Sequence, residues 1–246
     1  MKNPKSNAIA PILKGGPALV GSLLLTVSSA NAAITYVDAA EGASGNTFAT
    51  GGSLSDTSWL NTSTEGGDND QWVKRTGVGN NGTVFQGWWD ESGGNTGIPE
   101  LTTQITGLTD GLQYDVWVFF WTAAGNNSTW NIAAGLTSGD LTTYSVTGAG
   151  DQDAAVAAST LTFTGTVLIS ENDGARNLWG VNLGRVTAAG TSIDVFVDNL
   201  VASNGGLSFN HDRTWYDGVG YQVIPEPGSF ALIFLALGSV MLRRRR

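Results

Sequence analysis

The chain has 246 residues, with 12 lysine and arginine residues, 21 aspartate and glutamate residues and no cysteine. The lack of cysteine excludes thiol catalysis, cysteine-bound zinc and disulfide bonds. Residues 33–224 contain five basic and 20 acidic side chains, which gives a formal net charge of −15. Because a domain of this charge repels the phosphates of DNA and RNA, we expect no nucleic-acid partner.

Residues 1–32 have the organisation of a secretory signal peptide. Three lysines, Lys2, Lys5 and Lys14, precede an apolar stretch at 18–27, and Ala30-Asn31-Ala32 follows it. A basic segment, a short apolar segment and a small-residue cleavage site are the parts of such a peptide. The pattern predicts an N-terminal signal helix that is cleaved after Ala32.

Residues 33–224 read as short strands separated by turns rich in glycine, serine, threonine and asparagine. The clearest strand, 114–121, alternates between two faces. One face carries Tyr114, Val116, Val118 and Phe120, and the other carries Asp115, Trp117, Phe119 and Trp121. Further strands are predicted at 34–38, 71–75, 83–89, 100–106, 129–135, 141–146, 160–169, 179–183, 192–198 and 215–223.

This pattern predicts an all-β domain, an antiparallel jelly-roll-like β-sandwich. Its last strand is predicted to place Trp215, Val219, Tyr221 and Val223 on one face. We expect the first and last strands to pair, because pairing protects two edges from aggregation and brings the domain's termini together. The segment 107–114, with Leu108 before an Asp110-Gly111 turn and Tyr114 after it, resembles the turn-plus-strand of fibronectin-type and carbohydrate-binding-type sandwiches.

Nine tryptophans lie in the predicted sandwich. Trp117 and Trp121 are expected on the outer face of a sheet, where planar rings can stack on sugars. The adjacent pair Trp88 and Trp89 is a second candidate for glycan binding. Core packing is the alternative interpretation of all four residues.

The sequence contains one candidate metal site and one histidine that could act in catalysis, and each has a simpler interpretation. Glu65, Asp68 and Asp70 form an acidic, glycine-containing loop whose oxygen ligands suit Ca²⁺, although a solvated loop is the alternative; no other cofactor is expected. The single histidine, His211, lies in a polar segment, and no nucleophile, nucleotide or zinc motif is present. We therefore predict no catalytic residue.

Residues 225–246 form a tail of a different composition. Pro225-Glu226-Pro227 precede an uncharged stretch at 228–242, and Arg243, Arg244, Arg245 and Arg246 close the chain. A 15-residue helix spans roughly 22 Å, so a membrane crossing needs local thinning of the ~30 Å hydrocarbon core or snorkelling arginines. Arginines favour the cytoplasmic side, which places residues 33–224 across the membrane.

This tail resembles the PEP-CTERM sorting signal of Gram-negative bacteria, and the domain before it resembles anonymous exported domains that precede such tails. The resemblance implies recognition by an exosortase, a membrane transpeptidase-like protease, and removal of the tail. It also implies a destination at the cell surface or in the extracellular matrix of bacteria that make exopolysaccharide. Removal of an apolar tail after sorting follows the logic of a glycolipid-anchor signal.

The sequence therefore predicts three parts: a signal peptide at 1–32, an exported β-sandwich domain at 33–224, and a sorting signal with a short transmembrane helix at 225–246. The expected function is that of a non-enzymatic surface or matrix protein. One alternative is a glycan-binding domain of lectin type, with exopolysaccharide as its partner. A second alternative is a polysaccharide hydrolase or lyase, which needs two carboxyl groups about 5–10 Å apart in a cleft.

Overall fold

The computed structural model of the chain describes residues 32–61, 71–75, 84–88, 98–123, 129–147, 155–164, 176–199 and 213–225. Regular structure in these ranges is almost entirely β, apart from a three-residue 3-10 turn at Ala158–Thr160. Within the same ranges, no helix has the length and apolar character that a membrane crossing needs. The predicted signal helix and tail helix lie outside the described residues.

The described strands agree closely with those predicted at 34–38, 129–135 and 192–198, and differ by one or two residues at several others. Three short strands, β2, β3 and β10, were not predicted. The strands are β1 Ile34–Asp38, β2 Thr47–Ala49, β3 Leu60–Asn61, β4 Trp72–Arg75, β5 Val84–Trp88, β6 Leu101–Thr106, β7 Gln113–Ala123, β8 Thr129–Gly135, β9 Thr142–Thr147, β10 Ala155–Ala157, β11 Phe163–Thr164, β12 Arg176–Thr187, β13 Ser192–Asp198 and β14 Arg213–Val223.

These strands form two sheets that pack against each other. Sheet 1 has the order β10-β12-β7-β14, and the free edge of β14 pairs with β5 along its first half and with β1 along its second half. Sheet 2 has the order β9-β8-β13-β6-β2. A single bridge between Arg213 and Trp130 connects the two sheets. The predicted β-sandwich is confirmed at this level.

The core between the sheets forms from alternate residues of the long strands. Tyr114, Val116, Val118 and Phe120 of β7 are all buried in it, as predicted. Sheet 2 contributes apolar side chains from the same alternation, including Ile193, Val195 and Val197 of β13. Removing this apolar surface from water is the main contribution to folding.

The last strand departs from the prediction at a β-bulge. The register of β14 against β7 shifts between Tyr216 and Gly218, so Asp217 is an extra residue on β14. Tyr216 and Val219 belong to the inter-sheet core, whereas Trp215 belongs to a second buried cluster on the other face of sheet 1. The prediction that Trp215 shares a face with Val219 is wrong, because a bulge breaks the two-residue period.

A second buried cluster covers the outer face of sheet 1. Strand β10 pairs with β12 on one side, and β11 pairs with β1 on the other, so residues 158–162 cross the outer face. We call these five residues the strap. Phe119 lies beneath it, with its ring centroid 5.4 Å from that of Phe163. Of the strand predicted at 160–169, the described part confirms only Phe163–Thr164, and Thr160 belongs instead to a 3-10 turn.

The glycines of the neighbouring strands make room for Phe119. A Cβ atom at Gly180 would lie 2.7 Å from Phe119 Cε1, and one at Gly220 would lie 2.9 Å from Phe119 Cε2. Both distances are shorter than side-chain packing allows. The ring can lie on the sheet only because β12 and β14 have no side chain at these two positions.

The turn before β7 has the predicted form. Gly111 has a φ of 77° and Leu108 is buried. The backbone N–H of Thr109 donates to Tyr114 Oη at 2.9 Å, a hydrogen bond of the kind that closes a tyrosine corner in sandwich domains. The turn is thereby fixed to the start of the central strand.

The first and last strands pair, as predicted. β1 is antiparallel to β14, with Thr35 opposite Tyr221 and Asp38 opposite Gly218. The side chain of Gln222 also donates to the backbone oxygen of Ala32. Residues 33 and 225 therefore lie at the same end of the sandwich, which we call the terminal end.

Candidate functional site

The tryptophans predicted to form a glycan platform differ in exposure. Trp117 and Trp121 both point to the face of β7 opposite the inter-sheet core. Trp121 is only 1% exposed and belongs to the second buried cluster, beneath the strap. Its indole N–H donates to Asp217 Oδ1 at 2.9 Å. The expectation that Trp121 is available to a sugar is wrong, because the outer face of sheet 1 is itself covered.

Trp117 is half-buried beside this covered region. Its Nε1 atom is buried and has no hydrogen-bond partner among the described residues, so the exposed part of its ring is carbon. The neighbouring positions on the flanking strands are Asn182 and Gly220. Trp117 offers part of a single ring, not the two-ring platform that the sequence predicted.

The other glycan and sorting candidates are only partly described. Trp88 ends β5, where its backbone pairs with Arg213. Trp89, the predicted Ca²⁺ ligands Glu65, Asp68 and Asp70, and His211 lie outside the described residues. So do Glu226, Pro227, Arg243, Arg244, Arg245 and Arg246 of the sorting signal, whereas Pro225 is described and exposed. The described ranges contain no group of three acidic or histidine side chains that could hold a metal.

Two carboxyl groups meet on the outer face of sheet 1, where the bulge of β14 contacts β1. Tyr36 Oη lies 2.6 Å from Asp217 Oδ2 and 3.2 Å from Asp38 Oδ1. Trp121 Nε1 donates to the second oxygen of Asp217. We call Tyr36, Asp38, Trp121 and Asp217 the acid cluster. It links the first strand, the central strand and the last strand of sheet 1.

Burial dominates the electrostatics of the acid cluster. Loss of solvation and, to a smaller extent, the negative charge of Asp217 together raise the pKa of Asp38 to about 7. Loss of solvation likewise raises the pKa of Asp217 to about 6, although the hydrogen bonds from Tyr36 and Trp121 oppose that rise. Asp217 is only 4% exposed. Two close carboxyls with raised pKa values can share protons near neutral pH, but a polysaccharide cannot reach Asp217.

A different aromatic pair lies on the outer face of sheet 2. Phe48 of β2 and Phe196 of β13 both face Thr102 of the intervening strand β6. At a strand spacing of ~4.8 Å, their backbones are about 10 Å apart. Both rings are partly exposed, and neither packs against either of the two buried clusters. We call this the Phe48–Phe196 face.

Polar groups flank this face on both sides. On one side, Gln104 donates to the exposed Asp194 at 3.1 Å. On the other side, burial and, to a smaller extent, the charge of Glu100 raise the pKa of Asp198 to about 6, against the opposing hydrogen bond from Asn199 N. Glu100 itself accepts hydrogen bonds from Ser138 Oγ at 2.7 Å and Gly139 N at 2.9 Å. Apolar rings with a few acidic and amide groups beside them are typical of the composition of small-ligand sites.

Sequence reasoning missed both arrangements. Phe48 belongs to a three-residue strand that leaves no periodic signal, and its pairing with β6 is not visible in the sequence. Asp38 and Asp217 are far apart in the chain and meet only through the β1–β14 register. The alternation of Tyr36 and Asp38, combined with the predicted pairing of the two strands, is the signal that could have suggested the cluster.

Comparison of the chain with protein-family models, curated proteins and solved structures finds no match.

Proposed function

We propose that the chain is an exported protein of the cell surface or extracellular matrix, and that its sandwich is a non-enzymatic structural domain. Residues 1–32 and 225–246 are its export and sorting signals, and an exosortase-like membrane protease is its processing partner. The described tryptophans support a structural role, because five of them, Trp59, Trp72, Trp121, Trp130 and Trp215, are less than 5% exposed.

The position of the exit from the sandwich carries this proposal. Strand β14 ends at Val223, and Ile224 still donates its N–H to Gln113 O at 3.0 Å. Pro225 follows at once and is exposed. A cut beyond Pro225 would therefore break none of the described hydrogen bonds. A domain built in this way can be held at a membrane by its tail and released intact.

We further propose the jelly-roll class for the sandwich. Its long strands pair as one antiparallel ribbon: β1 with β14, β6 with β13, β7 with β12, and β8 with β9. Rolling up this ribbon gives the orders β1-β14-β7-β12 and β6-β13-β8-β9 in the two sheets. Interleaved orders of this kind, built from two Greek keys, are typical of jelly rolls.

Mass spectrometry of the protein from its native host tests the sorting proposal. We expect a mature chain that begins at Ala33 and ends near Pro225. Replacement of Arg243–Arg246 by four glutamines should weaken topology control and retention, since positive residues hold the cytoplasmic side. Surface-located protein that still ends in Arg246 would contradict processing.

Glycan binding is a second candidate function, and the Phe48–Phe196 face favours it. Two partly exposed rings can stack on the apolar faces of sugars. The carboxyl and amide groups of Gln104, Asp194 and Asp198 can hydrogen-bond to hydroxyl groups. Because these groups and the domain as a whole are acidic, we propose a neutral polysaccharide as the ligand and expect anionic polysaccharides to be repelled.

Retention of the domain on a panel of neutral and anionic polysaccharides tests the glycan proposal. A Phe48→Ala/Phe196→Ala double variant should lose retention, whereas Trp117→Ala and the edge-strand control Val156→Ala should keep it. Loss with Trp117→Ala alone would move the site to sheet 1. New reducing ends that depend on Asp198 would instead favour the hydrolase alternative.

A further inference from the structure

The acid cluster contains fewer hydrogen atoms than its contacts need. The Tyr36 hydroxyl has one hydrogen, but its oxygen contacts Asp217 at 2.6 Å and Asp38 at 3.2 Å. The shorter contact takes that hydrogen, and Asp217 also receives the indole N–H of Trp121. If Asp38 were ionised, its oxygen would face a lone pair of Tyr36 with no hydrogen between them.

We infer that Asp38 is a protonated carboxylic acid in the folded domain, that it donates to Tyr36 Oη, and that Tyr36 donates to the ionised Asp217. The proton comes from solvent and is held by the Asp38 carboxyl oxygen. This form exists between the pKa values of the two carboxyls, about 7 for Asp38 and about 6 for Asp217, because Asp217 is protonated as well at lower pH. This chain of hydrogen bonds joins β1 to β14. The tie between the first and last strands of the domain is therefore proton-dependent.

The surroundings of the cluster support this placement of the proton. Asp217 has a donor for each of its oxygens, which favours its ionised form. Asp38 has no such pair of donors among the described residues. Burial, with smaller contributions from the charges of Asp217 and Glu41, raises its pKa to about 7. Glu41, on the segment after β1, forms an ion pair with Lys74 of β4. Tyr216 is the neighbouring ionisable group on β14, and burial keeps its hydroxyl neutral.

The sign of the pH dependence follows from these shifts. The pKa values of Asp38 and Asp217 rise on folding from 3.8 to about 7 and about 6. Between about pH 4 and pH 7 the folded state therefore binds more protons than the unfolded state, and stability falls as pH rises. The contribution is fully present below the unfolded pKa and is lost above the folded pKa. Because the two groups are coupled, the titration belongs to the pair.

Thermal unfolding of the full chain in detergent at pH 6.5 and pH 8 tests the inference, because in this interval Asp38 titrates while Asp217 is mostly ionised. The wild type should lose several degrees of melting temperature at pH 8. Asp38→Asn keeps an N–H donor toward Tyr36 without a titrating proton, so its loss should be much smaller. Asp217→Asn leaves only one acceptor for two donors and should melt lower at both pH values. The exposed control Asp194→Asn should reproduce the wild-type difference.

Infrared spectroscopy detects a protonated carboxyl directly, so its signal would not change if Asp38 contributed only to packing. The spectra are taken at pH 6.5 in an Asp198→Asn background, because Asp198 also has a raised pKa of about 6. In that background the chain with Asp38 and the further variant Asp194→Asn should show the C=O band of a buried protonated carboxyl, and Asp38→Asn should lose it. Persistence of the band in Asp38→Asn, or an unchanged pH dependence of its melting temperature, would overturn the inference. Loss of the band in Asp217→Asn with retained stability would place the proton on the other carboxyl and also overturn it.

Discussion

The indole N–H of Trp121 donates to Asp217 Oδ1 at 2.9 Å, and both side chains are at least 95% buried. Trp121→Phe removes the indole donor to a buried carboxyl oxygen of Asp217. An unsatisfied buried acceptor costs about 1–3 kcal/mol beyond the lost packing. We expect urea unfolding to show this loss in the free energy of unfolding.

Trp130→Phe is the matched control for that variant. Trp130 is 4% exposed, and its Nε1 has no hydrogen-bond partner in the described part of the chain. The substitution therefore removes a similar volume but breaks no hydrogen bond. Equal losses of stability in the two variants would mean that the contact between Trp121 and Asp217 contributes nothing.

The alternation of β7 shows how far the sequence determines this region. Its two faces follow directly from a two-residue period, and the inward face was correctly assigned. The burial of the outward face depends on side chains from distant segments, among them Ala158 of the strap, Trp130 and Trp215. No local pattern in 114–121 can report that covering, so the sequence identified the face of Trp121 but not its burial.

Gly180→Ala should destabilise the domain. Its new methyl group would lie 2.7 Å from Phe119 Cε1 and 3.1 Å from Leu161 Cδ1. Overpacking of this kind typically costs about 1–3 kcal/mol. Urea unfolding of Gly180→Ala, Phe119→Leu and the double variant measures the coupling, since residues in contact are not additive. If the double variant loses as much free energy of unfolding as the two single variants lose together, a clash with the Phe119 ring is contradicted.

Pattern reasoning fails for another reason at Trp215. The sequence shows no sign that Asp217 adds a residue to one strand only, yet this bulge exchanges the faces of Trp215 and Tyr216. The same bulge brings Asp217 onto the outer face, where it reaches Tyr36. This one extra residue accounts both for the wrong assignment of Trp215 to the face of Val219 and for the acid cluster that the sequence did not predict.

Calcium should raise the melting temperature if the loop of Glu65, Asp68 and Asp70 binds it, because a ligand of the folded state stabilises by mass action. Thermal unfolding with and without millimolar calcium measures the shift. Asp68→Ala/Asp70→Ala should abolish it, while Asp194→Asn on β13 should keep it. An equal shift in the loop variant would remove these residues as ligands.

The junction at Pro225 predicts a sharp difference between two truncations. A chain that ends at Pro225 keeps the hydrogen bond from Ile224 N to Gln113 O and the full pairing of β14 with β7, which extends to Val223 opposite Tyr114. Its melting temperature should equal that of the full chain in the same detergent. A chain that ends at Tyr221 loses the last pairings of β14 and the contact between Gln222 and Ala32. It should melt several degrees lower, since edge residues lose both backbone hydrogen bonds and packing. Equal melting of the two truncated chains would show that the last residues of β14 do not hold the terminal end together.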